Sequence, residues 1–219
     1  MLRAVVRGPL LEPPRPTGSV LTVEKQQPRL TWTFRPLRRE DFDQLRAWLS
    51  DPVVARWWNH DTSDQGLERD FGPGIDGLEP GEDLLALHQD VPAGVVQRCR
   101  LADYPEYATA LAAVLPLDPH AWTVDYLLGA AHRGQGLGSG MLRTAVDDLR
   151  HDHPEATELV VPVPAGNEVS WRLLESAGFT RVAEGDLDPD NPADPPLHYV
   201  YRLRLSPGRA AASVIRSTA

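Results

Sequence analysis

The sequence predicts an α/β (α+β) chain of seven strands and four helices, with its chemistry gathered at one strand–loop–helix junction. Three observations carry that reading. Trp122-Thr123-Val124-Asp125-Tyr126-Leu127-Leu128 is aromatic and β-branched enough for a buried strand. His132-Arg133-Gly134-Gln135-Gly136-Leu137-Gly138-Ser139-Gly140 then supplies a glycine turn. Leu137, Met141, Leu142, Ala145, Val146 and Leu149 follow at helical spacing.

The other elements are read in chain order. Residues 1 to about 30 are rich in proline and arginine and contain Pro13-Pro14-Arg15-Pro16, which reads as a flexible extension. Leu30 to Leu37 alternates as a strand and opens the folded domain, about residues 31–205. Arg39-Glu40-Asp41 leads into an amphipathic helix bearing Phe42, Leu45, Trp48 and Leu49. Asp51-Pro52 starts a second helical segment that ends in Trp57-Trp58. The Gly/Pro-rich stretch from Gly72 to Gly81 reads as a loop. Leu84 to His88 and Gly94 to Arg100 read as two strands of a meander, and Asp103 to Pro119 as a loop with a short helix. Beyond the junction, Thr157 to Val163 alternates toward a strand. Asn167 is a good N-cap for a helix reaching Ala177, with Gly178 as its C′ residue. Arg181-Val182-Ala183 continues a strand, residues 184–196 form an acidic Pro/Asp loop, Leu197 to Leu205 is the last strand, and 206–219 form a frayed tail.

Composition narrows the classes. At 219 residues the chain suits one α/β domain with decoration. No stretch approaches a membrane span, and Pro9 breaks the N-terminal apolar run too early for a signal peptide. Cys99 is the single cysteine, so no disulfide framework exists; it reads as a packed, inert thiol. A cytoplasmic location is expected. The net charge of −9 argues against nucleic-acid binding and suits a cationic small substrate. His151-Asp152-His153 lacks the spacing of a zinc site and reads as a solvated helix end, so no metal is expected.

A strand, a glycine turn and a helix start together make an anion-binding device. Glycines admit positive φ and close approach, and the free amides of the first turn point outward at the positive end of the helix dipole. A ligand with a pyrophosphate is implied. The run lacks the Gly-Lys-Ser/Thr ending of an ATP-binding loop, and its glycines fall at the wrong offsets for the dinucleotide fingerprint. Arg133-x-x-Gly136-x-Gly138 instead resembles the acyl-coenzyme A signature of the GNAT N-acyltransferases. About thirty residues on, Asn167…Trp171-Arg172-Leu173-Leu174-Glu175-Ser176-Ala177-Gly178-Phe179 resembles the Asn…Glu-x-x-Gly-Phe segment of the same superfamily.

That resemblance implies a mixed central sheet flanked by helices, acetyl-CoA as cosubstrate, and a role for the junction. Main-chain amides from Arg133 through Gly134, Gln135, Gly136, Leu137 and Gly138 to Ser139 would hold the pyrophosphate. Tyr126, Leu127, Leu128 and Asn167 would line the pantetheine. Asp125 would be the base that deprotonates an amine, and an amide near Leu127 would hold the thioester oxygen.

Arg35-Pro36-Leu37…Trp48-Leu49…Val53-Val54…Trp57-Trp58 is similar to the start of the aminoglycoside 6′-N-acetyltransferases. Asp118-Pro119…Val124-Asp125-Tyr126-Leu127-Leu128 and Asp194-x-Pro196-x-x-Tyr199 also resemble segments of that group, and Gln97 falls at its substrate-site glutamine. The resemblance implies an acceptor site of Trp58, Gln97, Asp118, Asp125 and Asp194, in a monomer or homodimer with neither nucleic-acid nor membrane partner. Two departures stand out. Pro162 replaces an aspartate of the group, and Leu174 replaces the tyrosine that protonates the leaving thiolate. Water, another hydroxyl such as Tyr126, or no acid at all then does that job. Two other functions stay open: a siderophore-type lysine or hydroxylamine acyltransferase, and a catalytically weak acyl-CoA-binding or drug-sequestering domain.

Overall fold

The computed structural model describes residues 32–205, so the proline-rich extension and the tail lie outside the described residues. Seven strands form one sheet: β1 (Trp32–Pro36), β2 (Glu82–His88), β3 (Val91–Arg100), β4 (Ala121–Leu128), β5 (Glu158–Pro164), β6 (Thr180–Asp186) and β7 (Leu197–Arg204). Their order is β1-β2-β3-β4-β5-β7-β6, and every pair is antiparallel except β4 with β5. Six helices accompany them: α1 (Phe42–Leu49), α2 (Pro52–Ala55), α3 (Asp64–Ile75), α4 (Pro105–Ala112), α5 (Leu137–Asp152) and α6 (Glu168–Ser176).

The mixed sheet agrees with the expected class. Six helices exceed the four expected by α3 and α4: α4 is the short helix read within Asp103 to Pro119, and α3 runs through Gly72-Pro73-Gly74, where a loop was expected. Packing explains the difference. A Cβ on Gly74 would lie 2.9 Å from an Asp83 carboxylate oxygen, so the glycine leaves that carboxylate room beside the helix end. Tertiary contact overrides the poor helix propensity of these residues.

Alternation along the strands gives the sheet two unlike faces. On one face Trp122 and Val124 of β4 pack with Met141, Leu142, Ala145 and Leu149 of α5 and Leu174 of α6. The other face holds two separate apolar clusters. One joins Leu127, Leu85 and Val95 to Leu45, Leu49, Leu67 and Phe71 of α1 and α3. The other joins Ala121, Val160 and Val200 to Leu101, Leu111 and Leu187. Between them lies a polar row: Asp83 of β2 opposite Gln97 of β3, and Gln97 opposite Asp125 of β4.

β4 and β5 part almost at once. Their parallel pairing is confined to Ala121 with Glu158 and Trp122 with Leu159. Two prolines hold them apart. The Ala165 amide donates to the Leu197 carbonyl at 2.9 Å, and Leu205 to Thr157 at 2.8 Å. Antiparallel pairs alternate between bonded and unbonded residues, so the odd-numbered residues of β5 turn their amides to β7. The nitrogens of Pro162 and Pro164 therefore face β4 and offer it no donor.

Candidate active site

The parting strands enclose a cleft of ≈ 650 Å³, walled by Val124 to Leu128 on β4 and Val161 to Pro164 on β5. Gly129 donates to the Ala93 carbonyl at 2.9 Å, which sets the phase of the β3–β4 ladder. Odd-numbered residues of β4 bond toward β3, while Val124, Tyr126 and Leu128 turn their N–H and C=O groups into the cleft. This corrects the expectation for Leu127. Its main chain faces β3, and its carbonyl would lie 2.2 Å from a Cβ on Gly94. The amides that can meet a carbonyl oxygen in the cleft are those of Val124, Tyr126 and Leu128.

At one end of the cleft the glycine turn enters α5. Gly134 and Gly136 have φ of 74° and 72°, a left-handed backbone that disfavours other residues. A Cβ on either would touch nothing within 4 Å, and both are exposed. Gly136 occupies the N-cap position, where no side chain caps the helix. Among the described residues, no acceptor takes the amides of Gly134, Gln135, Gly136 or Leu137. These free donors and the open space above them fit a diphosphate. Gln135 folds back on the loop, its Nε2 2.6 Å from the Ala131 carbonyl, and Ser139 stands half-buried in the first turn. Arg133 lines the cleft and pairs through Nη2 with Asp51, the N-cap of α2; its Nη1 is buried without a partner. Gly138 has a packing task besides the one expected of its amide. A Cβ there would lie 2.2 Å from Leu173 Cδ1, so this glycine lets α6 close on α5.

Asn167 caps α6, its side chain accepting from the Ser170 amide at 3.2 Å, and lines the cleft. Tyr126 reaches from β4 to the same helix, with its hydroxyl 2.9 Å from Ser170 Oγ and 3.1 Å from the Ser170 carbonyl.

The cleft continues onto the opposite face at Asp125, which also borders a smaller cavity of ≈ 180 Å³ lined by Asp83, Gln97, Glu79 and Tyr104. Water in the cleft reaches the Asp125 side chain, although protein surrounds it. Desolvation, and then the charge of Asp190, pushes its pKa up to about 7. Gln97 donates to Asp83 at 2.6 Å, and burial holds the Asp83 pKa above the usual carboxylate value. Burial likewise raises Asp190, on the β6–β7 loop. Trp57, Trp58, Tyr107 and His198 complete the wall. His198 Nδ1 lies 2.7 Å from the Pro196 carbonyl, which only accepts, so that nitrogen carries a proton.

A seven-stranded sheet that opens beside its central strand onto an uncapped glycine-rich helix start, with a carboxyl on the far side, can seat a long thin ligand that ends in a diphosphate. A family model described as an acetyltransferase (GNAT) domain matches residues 38–187. The chain belongs to the GNAT acetyltransferases. As a member it is an acyl-CoA-dependent N-acetyltransferase that uses acetyl-CoA. A comparison with curated protein sequences found no match. Solved structures share the fold. The aminoglycoside acetyltransferase AAC(6′)-Ib, in complex with ribostamycin and coenzyme A, aligns at 23% identity and TM-score 0.64 over 86% of this chain and 99% of its own. An aminoglycoside N(6′)-acetyltransferase from Legionella pneumophila aligns at 17% identity and TM-score 0.59, covering 79% and 91%. Spermidine N-acetyltransferase from Vibrio cholerae, in complex with coenzyme A and spermine, aligns at 13% identity and TM-score 0.61, covering 80% and 96%.

Within this GNAT domain the acceptor residues read from the sequence divide into two groups. Asp125, Gln97 and Trp58 border the cleft or its side cavity. Asp118 does not join them. It sits before β4, at the opposite end from the glycine turn, and accepts from the His120 amide and the Thr157 hydroxyl, both at 2.8 Å. Asp194 does not join them either. Its side chain is 4% exposed and bound to Arg56, which fastens the β6–β7 loop to α2. Sequence reading missed Asp83, Asp190 and Tyr107. Asp83 lies opposite Gln97 by strand register, a signal that a hairpin alignment carries; Asp190 and Tyr107 arrive by loop and helix packing, which no local pattern encodes. Cys99 borders the side cavity with its thiol pushed up to about 12 by burial, as an inert thiol should be. No cluster among the described residues could hold a metal ion, and no helix among them is long and apolar enough to cross a membrane.

Proposed function

We propose that this GNAT enzyme moves an acetyl group from acetyl-CoA to a primary amine of a small polycationic acceptor, an aminoglycoside 6′-amine being the best fit. One observation carries the proposal. The donor cleft ends at three carboxylates, Asp125, Asp83 and Asp190, none of which has an arginine or lysine partner among the described residues. Desolvation raises the pKa of all three although the cleft leaves Asp125 and Asp190 accessible, and a bound ammonium would offset that desolvation and their mutual repulsion. Trp57 and Trp58 supply flat apolar surface for a sugar ring. Pro162, at the position where the resembling group has an aspartate, stands across the cleft from Asp125; Asp190 brings a carboxylate from the β6–β7 loop instead.

In this reading the glycine-turn amides and Arg133 hold the diphosphate, and the cleft-facing amides of Tyr126 and Leu128 steady the thioester oxygen as negative charge develops. Asp125 takes the proton the acceptor ammonium must lose. A carboxyl with a pKa near the working pH suits a general base, and the bound ammonium draws it lower. Thiol release from acetyl-CoA tests the reading with three acceptors: a kanamycin-class aminoglycoside, spermidine and lysine. Release driven by the aminoglycoside is expected. Release with lysine alone would replace it by the siderophore-type function, and tight binding without release by a sequestering one.

A further inference from the structure

We propose that Tyr126, relayed by Ser170, gives its proton to the sulfur that leaves when the thioester breaks; the assignment rests on the acetyl-transfer reading above. The reaction needs a proton on the α5–α6 side of the sheet, since Asp125 serves the amine on the other side. Leu174, at the position of the expected tyrosine, is 0% exposed and apolar. Of the groups lining the cleft on that side, Leu128, Val163 and Leu173 carry no exchangeable proton. Asn167 is engaged as the cap of α6, Glu168 is ion-paired with Arg172 at 2.9 Å, and Ser170 is bonded to the Tyr126 hydroxyl. Tyr126 remains, and its placement is specific. It springs from β4 where β5 has already departed, and its hydroxyl spans the gap to Ser170 Oγ at 2.9 Å and the Ser170 carbonyl at 3.1 Å. The carbonyl only accepts, so it takes the phenol's one proton and Ser170 Oγ donates to the phenol oxygen; when the hydroxyl turns to sulfur, Ser170 stands ready to refill it. Asp125 and Tyr126 are successive residues of one strand and point to opposite faces. The base therefore stands where the amine arrives and the acid where the thiol departs, with the cleft between them. Burial keeps the phenol above its ordinary pKa, hence protonated at neutral pH.

The step balances as follows. The acetyl C–S bond breaks and its electron pair goes to sulfur, which takes the Tyr126 hydroxyl proton. The phenolate oxygen takes the Ser170 hydroxyl proton, and water at the cleft mouth restores it to Ser170. The nitrogen sheds two protons: Asp125 takes the first from the ammonium, hands it to cleft water, and then takes the surplus proton of the newly acylated nitrogen. One of the two offsets the proton that water gave to Ser170, and the other is the net proton released. The products are the N-acetylated amine and the free thiol.

Tyr126→Phe keeps the ring and removes only the hydroxyl. With acetyl-CoA its kcat should fall about 100-fold, while CoA affinity by calorimetry stays within about twofold. With an acetylated aryl thiol, whose thiolate leaves without help, the same variant should lose less than about fivefold. Ser170→Ala should show the same donor dependence at about tenfold. Equal losses with both donors would mark a purely structural hydroxyl and overturn the assignment, as would an unchanged kcat. If the Phe variant fails to fold, Ser170→Ala with the two donors decides by the same criterion. A wild-type enzyme silent with every amine would take down acetyl transfer itself, and this assignment with it; an active wild type matched by an equally active Phe variant removes Tyr126 alone.

Discussion

Two adjacent residue pairs on β2 and β3 show opposite solutions to buried charge. Glu82 lies opposite Arg98, and Asp83 opposite Gln97, one step along the same strands. The first pair faces α5. There Arg98, 4% exposed, holds Glu82 at 2.6 Å, Asp152 at 2.7 Å and Asp148 at 3.1 Å. His153 adds a contact to Glu82 at 2.6 Å. The second pair faces the acceptor trough, where Asp83 has only the Gln97 amide and Asp125 has no cation. One side of the sheet ties its carboxylates to a buried guanidinium. The other keeps its negative charge for something that comes from outside. The same alternation that sorts apolar from polar residues here sorts structural charge from working charge.

Breaking the paired side should have the largest effect. Arg98→Met strands three partly exposed carboxylates and should cost about 3 kcal/mol, the low end for a broken buried pair, read by urea unfolding. Acceptor KM in the folded fraction should stay unchanged. On the working side, Asp125→Asn should lower kcat about 100-fold or more with CoA affinity intact. Intact turnover in steady-state assays would remove Asp125 as the base. Asp83→Asn should raise acceptor KM about tenfold at constant kcat, the loss of one hydrogen bond to a charged group.

Acidity sharpens the contrast. Asp125 must be ionised to act, so kcat/KM should fall about tenfold for each pH unit below about 7, and Asp125→Asn should flatten that limb. Stability should run the other way. The folded chain binds the Asp125 proton more tightly than the unfolded chain, so wild-type stability falls as pH rises from the usual carboxylate range through about 7. Asp125→Asn should therefore raise Tm at pH 8 and leave it nearly unmoved at pH 4. This is the smallest of the expected effects, and thermal melts at the two pH values read it directly.

Much of this design was legible in the residues, for stateable reasons. The strand–turn–helix around Arg133 to Gly138 follows local chemistry, since glycines at left-handed positions and helical apolar spacing are short-range signals. Asn167 as cap and Gly178, with φ of 99°, as helix terminator follow from the same kind of rule. Asp125 came from the resemblance, as the base that deprotonates an amine. What failed depends on distant partners. Gly72 and Gly74 read as loop residues because their reason for being small lies elsewhere, Asp83 in the case of Gly74. Asp194 read as an acceptor contact because a sequence does not reveal that Arg56 waits to bind it. Leu127 and Leu128 are alike in sequence, and only the phase of the β3–β4 ladder tells which of them offers its amide to the cleft.

Pro162 and Pro164 carry one more consequence. An unpaired strand is ordinarily sticky, a template on which a stray peptide or a second molecule could dock and propagate. Here the exposed ladder is sunk inside the protein, and its facing wall has been stripped of the hydrogens that would zip it shut. The slot therefore stays ajar before any visitor arrives and should admit a slender amide-bearing thread without first prising two strands apart. Storage of the empty enzyme, warming and dilution should leave that entrance as wide as it began.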